Sequence, residues 1–398
     1  MRKFELAKHT IGCRHTLVLA MIAASLPVSA TADELGRRIA IVVDNTIKAV
    51  MAETAIPGMA VGVTIDGRSF VWNYGLADQE NAVPVGDDTL FEIGSVSKTF
   101  TATLGAYAEA EGKLSFSDKG SDHLSILRGS AFDGVDLLDL GTYTAGGLPL
   151  QFPDDVAGDS EIKRFYREWR PSYGPGTHRV YSNPSIGLFG YLAAESLGEP
   201  FPSLMEKKLL PALGLKRTYI NVPAPEIQTY AFGYNKAGKP MRVTAGALDA
   251  QAYGIKTTAS DLLRFVELNI DPSRLEPSLR KAIASTQTGY YRVSGMYQSL
   301  GWELYAWPTT LDTLLAGNSS DMALKPQSAV RLKPPQKPGD EVLVNKTGST
   351  GGFGAYVAFV PERRIGVVLM ANRNFPIAAR IKSAFTILKS AEAVHGHP

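Results

Sequence analysis

Gly94-Ser95-Val96-Ser97-Lys98 is the stretch on which the reading of this chain turns. If a helix begins at Ser95, Lys98 lies one turn on. Residues three apart share a helix face with Cβ atoms roughly 5–6 Å apart, so the Lys98 amine can reach the Ser95 hydroxyl. A serine alcohol is a weak nucleophile at neutral pH and needs a neighbouring base; a lysine withdrawn from water can serve, because burial lowers its pKa. The unpaired N–H groups at a helix start carry partial positive charge, which suits the oxyanion formed when a hydroxyl attacks a carbonyl. Taken alone, the same spacing also fits a serine N-cap followed by an exposed lysine.

Two remote stretches change the weight of that reading: Tyr181-Ser182-Asn183 and Lys346-Thr347-Gly348. The three in this order resemble the penicillin-recognising serine enzymes, with their S-x-x-K and K-T-G signatures. The middle element is Tyr-Ser-Asn where class A β-lactamases carry Ser-Asp-Asn, and the chain has no E-x-x-L-N run, so the branch it resembles is the class C β-lactamases. The resemblance extends over Tyr143 to Gln151, Leu248 to Lys256 and Gly351 to Pro361, and spans nearly the whole chain after its leader. It implies an α/β (α+β) fold of the β-lactamase/D,D-peptidase type. An antiparallel sheet carries the terminal helices, a second lobe is mostly helical, and the active site lies in the cleft between.

The resemblance also assigns roles. Ser95 is the nucleophile, Lys98 and Tyr181 share the proton transfers, and Lys346 supplies positive charge. The main-chain N–H groups of Ser95 and Ser349 form the oxyanion hole. Asn183 binds the substrate side-chain amide and holds Lys98. Gln151 and Tyr253 contact substrate, Gly348 lets it lie against the backbone, and Thr347 and Arg380 bind its carboxylate. Whether Lys98 or Tyr181 takes the Ser95 proton stays open: a phenol titrating near ~10 serves as a base only if cations surround it. At Ile377 the family often has an asparagine that binds the carboxylate, so anchoring here is expected to rest on Thr347 and Arg380. The same motifs serve D,D-peptidases and carboxylesterases, and a covalent β-lactam sensor is a further alternative.

Composition is that of an ordinary globular protein: 398 residues, 44% hydrophobic and 20% charged. Residues 1–30 read as a secretory signal, with Arg2, Lys3, Lys8 and Arg14 ahead of an apolar run from Thr16 to Leu26, and Val28-Ser29-Ala30 as the cleavage site, cleavage after Ala32 being nearly as good. A periplasmic monomer without a membrane anchor is expected. The leader holds four Lys/Arg against Glu5, so removing its +3 from the formal +2 leaves about −1, with no basic footprint for nucleic acid. The single cysteine, Cys13, leaves with the leader. Of the six histidines only His123 and His178 lie in the body of the chain, so no metal site assembles and no cofactor is expected. The glycine-rich Gly348 to Gly354 lacks the lysine-serine ending of a phosphate loop.

Periodicity supplies the frame. Leu35, Ile39, Val43, Ile47 and Val50 mark a helix over Asp33 to Glu53, capped by Asp33. Met59, Val61, Val63 and Ile65 alternate up to Asp66-Gly67, a hairpin turn, and Phe70, Trp72 and Tyr74 alternate back. Helices are expected over Lys98 to Glu111, Asp118 to Arg128 and Gly187 to Leu197. Strands are expected over Trp302 to Trp307, Val342 to Lys346, Tyr356 to Val360 and Ile365 to Met370, the last three as a meander before a closing helix. Residues 31–85 and 296–398 are thus read as a discontinuous sheet-containing lobe, and 86–295 as the mainly helical one.

Overall fold

The computed structural model of the chain describes residue 1 and residues 28–337 and 341–396; the leader reading over residues 2–27, Cys13 included, lies outside them. The alternation after Pro57 produces the expected hairpin. Strands β1 (Gly58–Ile65) and β2 (Arg68–Asp78) pair antiparallel from Gly58↔Gly75 to Ile65↔Arg68. Asp66 and Gly67 between them both take positive φ, +50° and +77°, the turn whose twist matches that of the strands. An eleven-stranded sheet grows from this pair. Its further strands are β3 (Val83–Pro84), β4 (His178–Arg179), β5 (Gly289–Val293), β6 (Met296–Gln298), β7 (Glu303–Ala306), β8 (Gln327–Gln336), β9 (Val342–Ser349), β10 (Gly354–Val360) and β11 (Ile365–Ala371), in the spatial order β3-β2-β1-β11-β10-β9-β7-β6-β5-β8-β4. The meander β9-β10-β11 forms as expected, and β11 closes on β1 with Met59 opposite Ala371. The first and last strands of the frame are therefore neighbours.

Around the sheet pack α1 (Val28–Thr54), α2 (Ser97–Ala110), α3 (Asn183–Leu197), α4 (Ala259–Ile270), α5 (Pro277–Thr286) and α6 (Ile377–His395). On one face Ile39, Val43 and Ile47 of α1 and Ile381, Ala384 and Leu388 of α6 share a core with Val61, Val63 and Val367. On the other, Leu262, Leu263 and Val266 of α4 meet Ala60, Val357 and Val368. Both faces of the central strands are therefore buried, and every residue of β1 is sealed from water although only alternate ones are large. Each fully buried Val or Leu contributes roughly 1.5–3 kcal/mol. Helix α2 packs against both α3 and α5 alongside.

Four expectations change. Helix α1 begins at Val28, so Asp33 lies inside it and not at its start. Residues 118–128 hold only two short turns, Gly120–His123 and Ser125–Leu127. The sheet reaches back to Gly289, ahead of residue 296, where the sequence reading begins its second sheet segment. It also takes in β8, which has no apolar signature because most of its residues are exposed.

Candidate active site

Ser95 does not begin the α-helix. It sits in a single 3₁₀ turn, Gly94–Val96, that runs straight into α2. Gly94 has φ +51°, and a Cβ there would lie 2.5 Å from the Ser349 nitrogen; a Cβ on Gly348 would lie 1.9 Å from the Ile93 carbonyl oxygen. No side chain fits at either place. These two glycines let the end of β9 press against the turn that carries the serine, so the Ser349 backbone is held beside it.

Lys98, one turn on, is fully buried and donates to Ser95 Oγ and to the Ala252 carbonyl, each at 2.8 Å. Burial is the main cause that brings its pKa down to about 8, and Lys346 lowers it further against the pull of Tyr181 and Glu303. Asn183, expected to hold Lys98, instead donates to Gln151 Oε1 at 2.8 Å; among the described residues the Ala252 carbonyl does the holding.

The Tyr181-Ser182-Asn183 run is the entrance to α3. Ser182 accepts from the Ser185 N–H at 3.0 Å as N-cap, with Pro184 in the first turn where its missing N–H costs nothing. That cap, worth about 1 kcal/mol, fixes the neighbouring Tyr181. Three cations surround the Tyr181 ring: Lys346 Nζ at 5.0 Å, Lys98 Nζ at 5.3 Å and Arg179 Cζ at 5.3 Å from its centroid. The phenol oxygen is shielded from solvent and completes no well-aligned hydrogen bond among the described residues. Burial pushes its pKa up, but Lys346, Lys98 and the nearby Ser95 hydroxyl outweigh it and bring the phenol down to about 8. Lys346 is the largest of the lowering influences, so Lys346→Met should raise the Tyr181 pKa. A tyrosinate absorbance titration of the wild type should show a phenol ionising near about 8 that is absent from Tyr181→Phe and displaced upward in Lys346→Met. An unmoved titration would remove Lys346 from that role.

Two groups escaped the sequence reading. Arg179 is buried and donates to Gln298 Oε1 at 2.5 Å, to the Met322 carbonyl at 2.7 Å and to Glu303 Oε1 at 2.9 Å. Glu303 in turn lies 3.9 Å from Lys346 Nζ. Both left a signal. Arg179 precedes Tyr181 by two, the spacing that puts side chains on one face of an extended chain. Glu303 is a lone carboxylate in the otherwise apolar Trp302 to Trp307, and such a group is buried only with a partner.

Ser95, Tyr181, Lys346, Thr347, Ser349 and Ile377 line one cleft of about 180 Å³, together with Asn318 and Met322. Tyr253 is half-buried beside this group without lining the cleft. Arg380 departs furthest from expectation. It is neither a solvated charge nor open to a substrate carboxylate, being fully buried and spent on protein acceptors. A hydroxyl hydrogen-bonded to a buried amine, with a phenol among cations beside it, is an arrangement for attack on a carbonyl. Among the described residues no cluster of His, Cys, Asp and Glu could hold a metal ion.

The chain belongs to the β-lactamase family, whose sequence model matches residues 43–392. A β-lactamase of Pseudomonas fluorescens is 55% identical over 88% of this chain and 98% of its own length. A structure described as a β-lactamase/D-alanine carboxypeptidase from Pseudomonas syringae superposes with a TM-score of 0.87 at 44% identity, covering 90% of this chain and 99% of that one. A class C β-lactamase solved in complex with cefoxitin superposes equally well, TM-score 0.87 at 44% identity over 89% and 99%. Within the family this chain is a class C serine β-lactamase, a hydrolase.

Proposed function

We propose that the enzyme hydrolyses cephalosporins and penicillins through an acyl-enzyme on Ser95, and so confers β-lactam resistance. The carrying observation is the 2.8 Å hydrogen bond from the buried Lys98 amine to the Ser95 hydroxyl, within a cluster that keeps Tyr181 easy to ionise. Ser95 Oγ attacks the lactam carbonyl while its proton passes to the Lys98–Tyr181 pair. The oxyanion is met by the Ser95 and Ser349 N–H groups. Tyr181, near Lys346, returns the proton to the ring nitrogen as the amide bond breaks. Water then attacks the ester by the reverse path, with the same groups as base and acid. Gln151 and Asn183 receive the substrate side-chain amide, Tyr253 flanks it, and Gly348 and Thr347 bind along β9 and at the carboxylate. A monomer exported to the periplasm after loss of residues 1–30 completes this reading, with the cleft lying between the sheet-containing and helical lobes.

Some solved relatives are described as D-alanine carboxypeptidases, so the competing reading is an enzyme acylated by β-lactams without turnover. Steady-state hydrolysis of a chromogenic cephalosporin separates the two. Sustained turnover supports the lactamase reading, and a stoichiometric burst that then stops overturns it.

Ile377 lines the cleft beside Thr347 and Ser349, at the start of α6. An isoleucine cannot donate a hydrogen bond. Ile377→Asn is expected to lower KM for carboxylate-bearing cephalosporins with little change in kcat; identical kinetics across several substrates would make the position silent.

A further inference from the structure

Arg380 makes six contacts in which its guanidinium donates and no carboxylate accepts. Nη1 reaches the Gly348 carbonyl at 2.5 Å, Ser349 Oγ at 3.0 Å and the Ala355 carbonyl at 3.3 Å. Nη2 reaches Asn374 Oδ1 at 2.6 Å and the Phe375 carbonyl at 2.5 Å, and Nε reaches the same carbonyl at 3.0 Å. Asn374 passes the connection on, since its Nδ2 donates to the Thr350 carbonyl at 3.0 Å. Three consecutive residues at and just past the end of β9, Gly348, Ser349 and Thr350, are thus tied to one buried arginine and its asparagine. The room for this is built in: a Cβ on Gly354 would lie 2.7 Å from Arg380 Nη2. Arg380 itself is fully buried and does not line the cleft.

We infer that Arg380 and Asn374 are positioning residues that lock the β9 terminus so that the Ser349 N–H points at the developing oxyanion, and that Arg380 does not read the substrate carboxylate. The inference rests on Ser349 being an oxyanion donor, as proposed above. A buried cation whose three nitrogens all donate to backbone carbonyls and neutral side chains cannot reach a substrate anion without abandoning them. Fixing a carbonyl fixes the peptide plane it shares with the next N–H, so a clamp on the Gly348 carbonyl sets the direction of the Ser349 N–H. An oxyanion donor acts through its direction, and removing one costs about 10²–10³ in rate; misplacement of about 1 Å can cost 10²-fold.

Arg380→Lys and Asn374→Ala are to be assayed with a cephalosporin and with its methyl ester, alongside a boronic acid that mimics the tetrahedral adduct. Arg380→Lys should lower kcat by roughly 10- to 10²-fold, by the same factor for acid and ester, and weaken the boronic acid in parallel. Asn374→Ala should act in the same direction by less. Asn374 is exposed, so that variant carries the test if melting curves show Arg380→Lys unfolded. A loss confined to KM for the free acid and absent with the ester would make Arg380 a carboxylate reader and overturn the proposal, as would unchanged kcat in both variants. If the wild type acylates without turnover, the lactamase reading fails separately, and the acylation rate of each variant judges the clamp.

Discussion

Ser95→Ala is expected to lower kcat for a chromogenic cephalosporin by about 10⁶, the loss seen when the nucleophile of a serine hydrolase is removed. The substitution takes away one oxygen and little else. Lys98 keeps its hydrogen bond to the Ala252 carbonyl, the cations around Tyr181 stay in place, and the backbone contact between Gly94 and Ser349 does not depend on the side chain. The folded site should therefore still bind substrate, measurable as a rise in melting temperature with added cephalosporin, while no covalent adduct appears in a mass spectrum of the intact protein. An adduct in Ser95→Ala, or activity within tenfold of wild type, would put the nucleophile elsewhere.

Lys98→Met should cost about 10²–10⁴ in kcat/KM, the usual worth of a positioned acid-base group. Methionine fills most of the same space, so the core under α2 survives, at a cost of about 1–3 kcal/mol for the Ala252 carbonyl left without its donor. The pH profile then decides between the two bases. Lys98 and Tyr181 are both drawn to about 8, the amine down by burial above all, the phenol by the neighbouring ammonium groups against its own burial. Either as base predicts a rate that climbs as pH rises toward that value, and the two titrations belong to the pair. Without the Lys98 charge the Tyr181 phenol rises. If Tyr181 is the base, the climbing limb of the residual activity moves to higher pH. If Lys98 is the base, that limb disappears. A Lys98→Met enzyme near wild-type rate would exclude both the base and the charge.

Much of the frame was legible because short-range chemistry and long-range packing agreed. Asp66-Gly67 between alternating apolar runs could only be a hairpin, and the apolar segments over 342–370 could only be central strands. What escaped depended on partners distant in sequence. The alternation of β1 suggested one buried face, whereas α4, some two hundred residues on, covers the other; Ala60 and Thr64 look like surface residues until that helix is known. Strand β8 is an exposed ribbon beside β5, and its pairing lies in backbone hydrogen bonds that leave no mark on composition. At the site, the three motifs gave the reacting groups. Arg179 and Glu303 left only a faint positional signal and the buried setting of Arg380 left none, because whether a charge is solvated or enclosed is decided by the fold around it. Ser95 illustrates the same limit on a smaller scale: its spacing to Lys98 was readable, but not the 3₁₀ turn that delivers it, which lies pressed against the end of β9.

The pairing of Met59 with Ala371, reinforced by the Gly58 N–H donating to Asn372 Oδ1 at 2.7 Å, has a bearing on synthesis. A nascent polypeptide arrested before residue 365 already contains its serine, lysine, tyrosine and K-T-G, yet only one edge of its first strand is paired, by β2, and the edge that β11 covers is still open. Contacts this distant in sequence make for slow folding. The central sheet, whose strand β9 brings Ser349 to the serine turn, therefore closes only when nearly all of the chain has been made.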